Sequence, residues 1–73
     1  MITVAKRKKS RKDEQIRAIS EEIREVSEAL EVADAGFNEV SDDDLLEAII
    51  YERSALRARY SFLIKELRRI EST

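Results

Sequence analysis

The fold depends on eleven residues, 36–46, which read GFNEVSDDDLL. They contain the only glycine of a 73-residue chain that has no proline, and they end in three aspartates and two leucines. A regular series of apolar residues precedes this stretch, and a separate series follows it. The stretch is therefore predicted to link two helices.

Before the link, apolar residues are separated alternately by three and four positions. This spacing is typical of a helix with one narrow apolar seam. Gly36 is expected to take the left-handed conformation just past the helix end, with Phe37 packing back on Val32. The first helix is therefore predicted over residues 12–35 and the turn over residues 36–41. The seam consists of Ile16, Ile19, Ile23, Val26, Leu30, Ala33, Phe37 and Val40.

After the link, a second series has the same alternation and predicts a second helix over residues 42–71. Its members are Leu46, Ile49, Arg53, Leu56, Tyr60, Leu63, Leu67 and Ile70. If Arg53 is buried, it needs a carboxylate partner, for which Glu22, Glu25 and Glu28 are the candidates, or an exit to solvent along its stem.

The second helix also has a neighbouring apolar seam, formed by Ala48, Tyr51, Ala55, Ala58 and Phe62. One partner helix cannot cover both seams, so additional helices are expected from a second copy or from another protein. Folding about residue 38 or 39 would also leave Leu67 and Ile70 opposite Ser10 and Arg7, without apolar neighbours. Either the first helix begins earlier than its apolar pattern indicates, or these two side chains contact a partner. The predicted partner-binding residues are Tyr51, Ala55, Ala58, Phe62, Leu67 and Ile70.

Because the link is short, the helices must run antiparallel. The predicted fold is all-α, an antiparallel two-helix hairpin of the coiled-coil type over residues 12–73. A chain of this size has a small core, and dimerisation or a partner protein is expected to complete it.

The acidic run inside the link has a structural explanation. Ser41 is predicted to cap the second helix, and Asp42, Asp43 and Asp44 would then lie at its positive end. Val40 and Leu45 would form a hydrophobic staple across the helix start. A calcium loop would require alternating ligands, a glycine and a closing glutamate, so a helix cap is favoured over a cation site.

The composition excludes several kinds of chemistry. The chain has no histidine and no cysteine, which removes disulfides, the preferred zinc ligands and the common nucleophile–base pairs. No glycine-rich phosphate loop is present. We therefore expect no catalytic residue, no cofactor and no metal, and no enzymatic activity. No apolar run approaches the roughly 20 residues of a membrane span, and a cytoplasmic location is expected.

Charge is distributed unevenly along the chain. Residues 1–12 carry six bases and no acid, residues 13–52 carry fourteen acids against two bases, and residues 53–73 carry six bases against two acids. In a hairpin the two basic parts meet at the open end. Residues 1–11 are predicted to form a flexible basic tail. The candidate phosphate-binding residues are Lys6, Arg7, Lys8, Lys9, Arg11, Lys12, Arg68 and Arg69.

From Phe37 onward the sequence resembles the YaaL family, small bacterial proteins of uncharacterised function. The resemblance implies a short two-helix protein and no particular activity. The family often has a proline after the aspartate that follows the Ser/Thr, where this chain has Asp43. The matching residues are Phe37, Val40-Ser41-Asp42, Leu45, Ile50-Tyr51, Ala55, Arg59-Tyr60, Phe62-Leu63-Ile64 and Lys65-Glu66.

Three functions remain open on the sequence. The favoured one is a non-enzymatic protein–protein interaction module: a homodimer, or an adaptor, regulator or inhibitor of a larger protein, including one carried by a phage or mobile element. The second is a protein associated with nucleic acid or ribonucleoprotein, which contacts phosphates through its basic open end. The third is an acidic inhibitor whose tip imitates nucleic-acid charge.

Overall fold

The computed structural model describes residues 11–72, which form two α-helices. Helix α1 is Arg11–Glu39 and helix α2 is Asp43–Glu71, each of 29 residues. Three residues join the helices, which therefore pack antiparallel along their length. The predicted all-α hairpin is confirmed. The predicted tail lies outside the described residues, except for Arg11, which is the first residue of α1.

The two predicted seams face each other and form the core. Val26 and Ala33 of α1 and Leu63 and Ile70 of α2 are its buried members, each 7% exposed or less. Most of the other seam residues are half-buried. The core is thus a single stripe between two helices, as the heptad spacing predicts.

The first helix continues past the predicted stop at Gly36. Gly36 has a negative φ, the N–H of Val40 donates to its carbonyl at 3.1 Å, and α1 ends at Glu39. In the continued helix Val32 and Phe37 point about 140° apart, so Phe37 does not pack back on Val32, which is 72% exposed. One glycine weakens a helix by only about 1 kcal/mol, and the continued helix brings Gly36 beside Ile49. Packing between the helices outweighs the local preference of the glycine.

The longer α1 shifts the pairing of the two helices by about one helical turn. The link is centred on Ser41, and Arg59 pairs with Glu22 at 3.4 Å. The expected overhang is therefore wrong. Leu67 and Ile70 lie beside the first turns of α1, and Ile70 is only 7% exposed.

The cap of α2 is Asp42, one residue after the predicted Ser41. Its Oδ1 accepts hydrogen bonds from the N–H of Asp44 at 2.8 Å and of Leu45 at 3.2 Å. Aspartate caps a helix as well as serine does, so the local sequence offers two nearly equal start sites. Because the start moves by one residue, Val40 and Leu45 leave the staple positions, and Leu45 remains 57% exposed.

Arg53 joins the end of α1 to α2. Its Nε lies 2.7 Å from Oδ1 of Asp34, and its guanidinium carbon lies 5.3 Å from the centre of the Phe37 ring. The partner is Asp34 rather than one of the glutamates at 22, 25 and 28, as follows from the shifted pairing. The last turn of α1 has no basic residue, so Arg53 supplies positive charge near the negative end of that helix.

Gly36→Ala is expected to raise the free energy of unfolding by about 0.5–1 kcal/mol. The reason is that an added Cβ would meet Ile49 Cδ1 at 3.5 Å, an ordinary contact, in a helical backbone. Urea unfolding followed by circular dichroism, at one fixed protein concentration, measures the change. A loss of stability would indicate that Gly36 holds the left-handed conformation after all.

Asp42→Ala is expected to reduce the free energy of unfolding by about 1 kcal/mol, because two amides of the first turn of α2 lose their acceptor. Ser41→Ala is the matched control and should change it by less than about 0.5 kcal/mol, since Ser41 is exposed and precedes the cap. The same urea titration compares the two variants. A larger loss of unfolding free energy in Ser41→Ala than in Asp42→Ala would show that Ser41 is the N-cap residue.

Candidate interaction surface

A stripe of α2 points away from α1. We call it the outer face and define it by Ala48, Tyr51, Ala55, Ala58 and Phe62. At about 100° per residue these five lie within about 80° of one another, and about 140° around the helix from the seam. All five are exposed, including 67% of Tyr51 and 58% of Phe62.

Helix geometry explains this exposure. A helix that packs against one neighbour buries only the side that faces that neighbour. The seam of α2 occupies that side, so α1 cannot reach Tyr51 or Phe62. The outer face is thus an apolar surface that the two helices of residues 11–72 leave exposed.

Helix α1 extends the same side of the hairpin. The ion pair between Glu22 and Arg59 joins the two helices there at 3.4 Å. Val32, 72% exposed, lies on this side of α1. Sequence reasoning missed Val32 by assigning it to a helix end. The spacing of Ala18, Ala29, Val32 and Gly36, which share one side of α1, was the signal that could have found it.

The predicted partner-binding residues divide into two groups. Tyr51, Ala55, Ala58 and Phe62 lie together on the outer face and are exposed. Leu67 is half-buried and Ile70 is buried, both in the seam. The last two therefore belong to the core of the hairpin, because of the shift in helix pairing described above.

The charges of α2 and its cap are separated along the helix. Residues 42–52 contain five acids and no base, whereas residues 53–69 contain six bases and one acid. The acids begin at the cap, Asp42, where they stabilise the positive end of the helix, and Arg68 and Arg69 lie in its last turn, where they offset the negative end. The helix is acidic at its start and basic at its end, with Ala55 near the middle.

A shallow groove lies on the other side of α2. It is lined by Tyr60, Ser61, Ile64, Lys65 and Arg68 and has a volume of about 260 Å³. Sites for small molecules usually enclose roughly 300–1,000 Å³ and surround the ligand. This groove is open to solvent, and its size does not favour a small-molecule site.

The candidate phosphate-binding residues are only partly described. Lys6, Arg7, Lys8 and Lys9 lie outside the described residues. Arg11 and Lys12 begin α1, and Arg68 and Arg69 end α2, so these four share the open end of the hairpin. Arg69 already donates to Glu66 at 2.7 Å, and this hydrogen bond is the main cause that holds the pKa of Glu66 below its usual value.

Within residues 11–72, no group of three or more acidic side chains is arranged to hold a metal ion. Neither described helix is long and apolar enough to cross a membrane.

One protein-family model matches residues 2–71, and its description is a protein of unknown function (DUF2508). No curated protein and no solved structure matches the chain. The match confirms the expected family of unknown function, whereas the more specific likeness to the YaaL family stays a prediction.

The pKa of Glu66 is expected to rise toward the usual glutamate value in Arg69→Gln. In the parent chain the pKa of Glu66 is lower in the folded state than in the unfolded state. The ion pair with Arg69 therefore stabilises the fold at pH values above the ordinary glutamate pKa, and this stabilisation is lost as the pH falls through the lowered pKa of folded Glu66. An acid titration of the carboxyl carbon by NMR measures both values. Arg68→Gln is the control and should leave the titration unchanged; an equal shift there would mean that Arg69 is not the partner.

Proposed function

The chain belongs to the DUF2508 family of proteins of unknown function, and we propose that it is a non-enzymatic interaction module that binds another polypeptide through the outer face of α2. One observation carries the proposal: two large aromatic side chains, Tyr51 and Phe62, are more than half exposed on one stripe. Aromatic residues dominate protein interfaces because each buries roughly 150–250 Å².

The energy of covering this stripe supports the proposal. Burial of the exposed part of Phe62 in an interface would contribute about 1–2 kcal/mol. Tyr51 would add a similar apolar contribution, with its hydroxyl able to reach the wet rim of an interface. The alanines between the two aromatics let a partner backbone come close.

The narrow core supports the same function. A single stripe between two helices stabilises a small chain weakly, and the sequence has no cysteine or histidine for a disulfide or a zinc site. With a partner on the outer face, α2 would be packed on two sides, against α1 through its seam and against the partner through its outer face. Binding and stabilisation would then come from the same contacts.

The adaptor, regulator and inhibitor roles predicted from the sequence are different uses of this one binding surface. The phosphate-binding alternative has less support, because Arg69 is already engaged by Glu66. The cytoplasmic location stays a prediction from the sequence.

Photo-cross-linking in the native cell tests the proposal. A benzophenone analogue of phenylalanine replaces Tyr51 or Phe62, so an aromatic ring is kept at each position. We expect one or a few discrete cross-linked protein bands from both positions, because the outer face is in contact with a polypeptide.

The matched controls carry the same analogue at Arg57 and Glu31, exposed residues on the other side of the hairpin. These positions should give little or no cross-linked product. Equal yields at all four positions, or no product at Tyr51 and Phe62, would contradict the proposed function.

A further inference from the structure

The polypeptide that covers the outer face, we infer, is a second copy of this chain, with α2 packed antiparallel on α2 about a twofold axis near Ala55. This inference rests on the proposed function and names the partner of the same surface. Two independent properties of α2 support it: the order of large and small residues and the order of charges.

The outer face is self-complementary in size. Ala48 and Phe62 lie seven residues before and after Ala55, so a twofold axis at Ala55 places Phe62 of each copy against Ala48 of the other. The same axis brings Tyr51 of each copy next to Ala58. Both aromatic side chains of the outer face then contact an alanine of the other copy. The two Ala55 residues meet at the centre, where the helices approach most closely.

The charges favour the same arrangement. Residues 42–52 carry five acids without a base, and residues 53–69 carry six bases with one acid. In an antiparallel pair, the acidic start of each α2 lies beside the basic end of the other, with Glu47 near Lys65. A parallel pair would set acid against acid and base against base, which repels.

The second copy also supplies what the hairpin lacks. Two hairpins joined through their outer faces form an assembly of four helices, in which each α2 is packed on both its seam and its outer face. The interface is the same patch on both chains, as in most homodimers.

The first measurement is the mass of the full chain in solution, by light scattering or sedimentation over a range of concentrations. We expect a particle of twice the chain mass of 8.5 kDa that dissociates on dilution. A monomer throughout a range up to several hundred micromolar would overturn the inference.

A size exchange tests the pairing itself. Phe62→Ala leaves a void against Ala48, and Ala48→Phe sets two phenylalanines against each other, so each should weaken the dimer at least about tenfold. The double variant Ala48→Phe with Phe62→Ala restores a large residue against a small one. Its dissociation constant should return to within about threefold of the parent value, and failure to recover would contradict this register.

Arg57→Ala is the control for these variants, because it changes an exposed residue of α2 away from the outer face. Circular dichroism checks that every variant keeps its helices. Since the five outer-face residues are exposed in the single hairpin, their replacement should leave the helices folded at low temperature, whereas the variants that weaken the dimer should unfold at a lower temperature than the parent chain.

A single cysteine locates the axis. The chain has no cysteine of its own, so Ala55→Cys gives each copy one thiol near the proposed axis. A short bis-maleimide should link these thiols into a covalent dimer efficiently, whereas Glu31→Cys should not be linked. A dimer that is linked better through Glu31→Cys would overturn the placement on the outer face.

The two proposals fail in different ways. If Tyr51 and Phe62 cross-link in the cell to a different protein and the purified chain is a monomer, the interaction module stands and the second copy is wrong. If neither position cross-links to any protein, the proposed function is wrong as well.

Discussion

A helix packed against a single neighbour buries only the stripe that faces it, and this geometric limit governs the whole molecule. The hairpin has two helices, so each one covers the other along a single seam and nowhere else. The buried residues, Val26, Ala33, Leu63 and Ile70, all lie on that seam. An apolar residue outside it remains in water whatever its size, as Tyr51 and Phe62 do. Within residues 11–72, two helices that pack along one seam thus leave the outer face exposed.

Local spacing predicted the helices and the seam because burial in a two-helix protein follows directly from helix phase. The three-and-four alternation identifies the buried side of each helix without knowledge of the partner. The same spacing also identified the outer face of α2, since its members recur at the same helical period. It missed Val32 because that residue was assigned to a helix end, where phase no longer applies.

The details of the link could not be predicted in the same way, because they depend on contacts between residues far apart in sequence. The preference of Gly36 for a helix stop is worth about 1 kcal/mol, and packing beside Ile49 outweighs it. Ser41 and Asp42 cap a helix almost equally well, so the sequence alone does not choose between them. Once the link moved, the pairing of the helices moved with it, and Arg53 met Asp34 instead of a glutamate one or more turns earlier.

The charge order of α2 satisfies two requirements at once. Acids at the helix start and bases at its end stabilise the isolated helix through its dipole, and each such charge contributes about 0.3–1 kcal/mol. The same order makes the helix complementary to an antiparallel copy of itself. Helix capping alone would need these charges only within the first and last turns, where the dipole acts. Glu47 and Glu52 lie further inside and follow the same separation of sign, which helix capping does not explain and which an antiparallel contact along α2 does. Arg59 is already paired with Glu22 of α1.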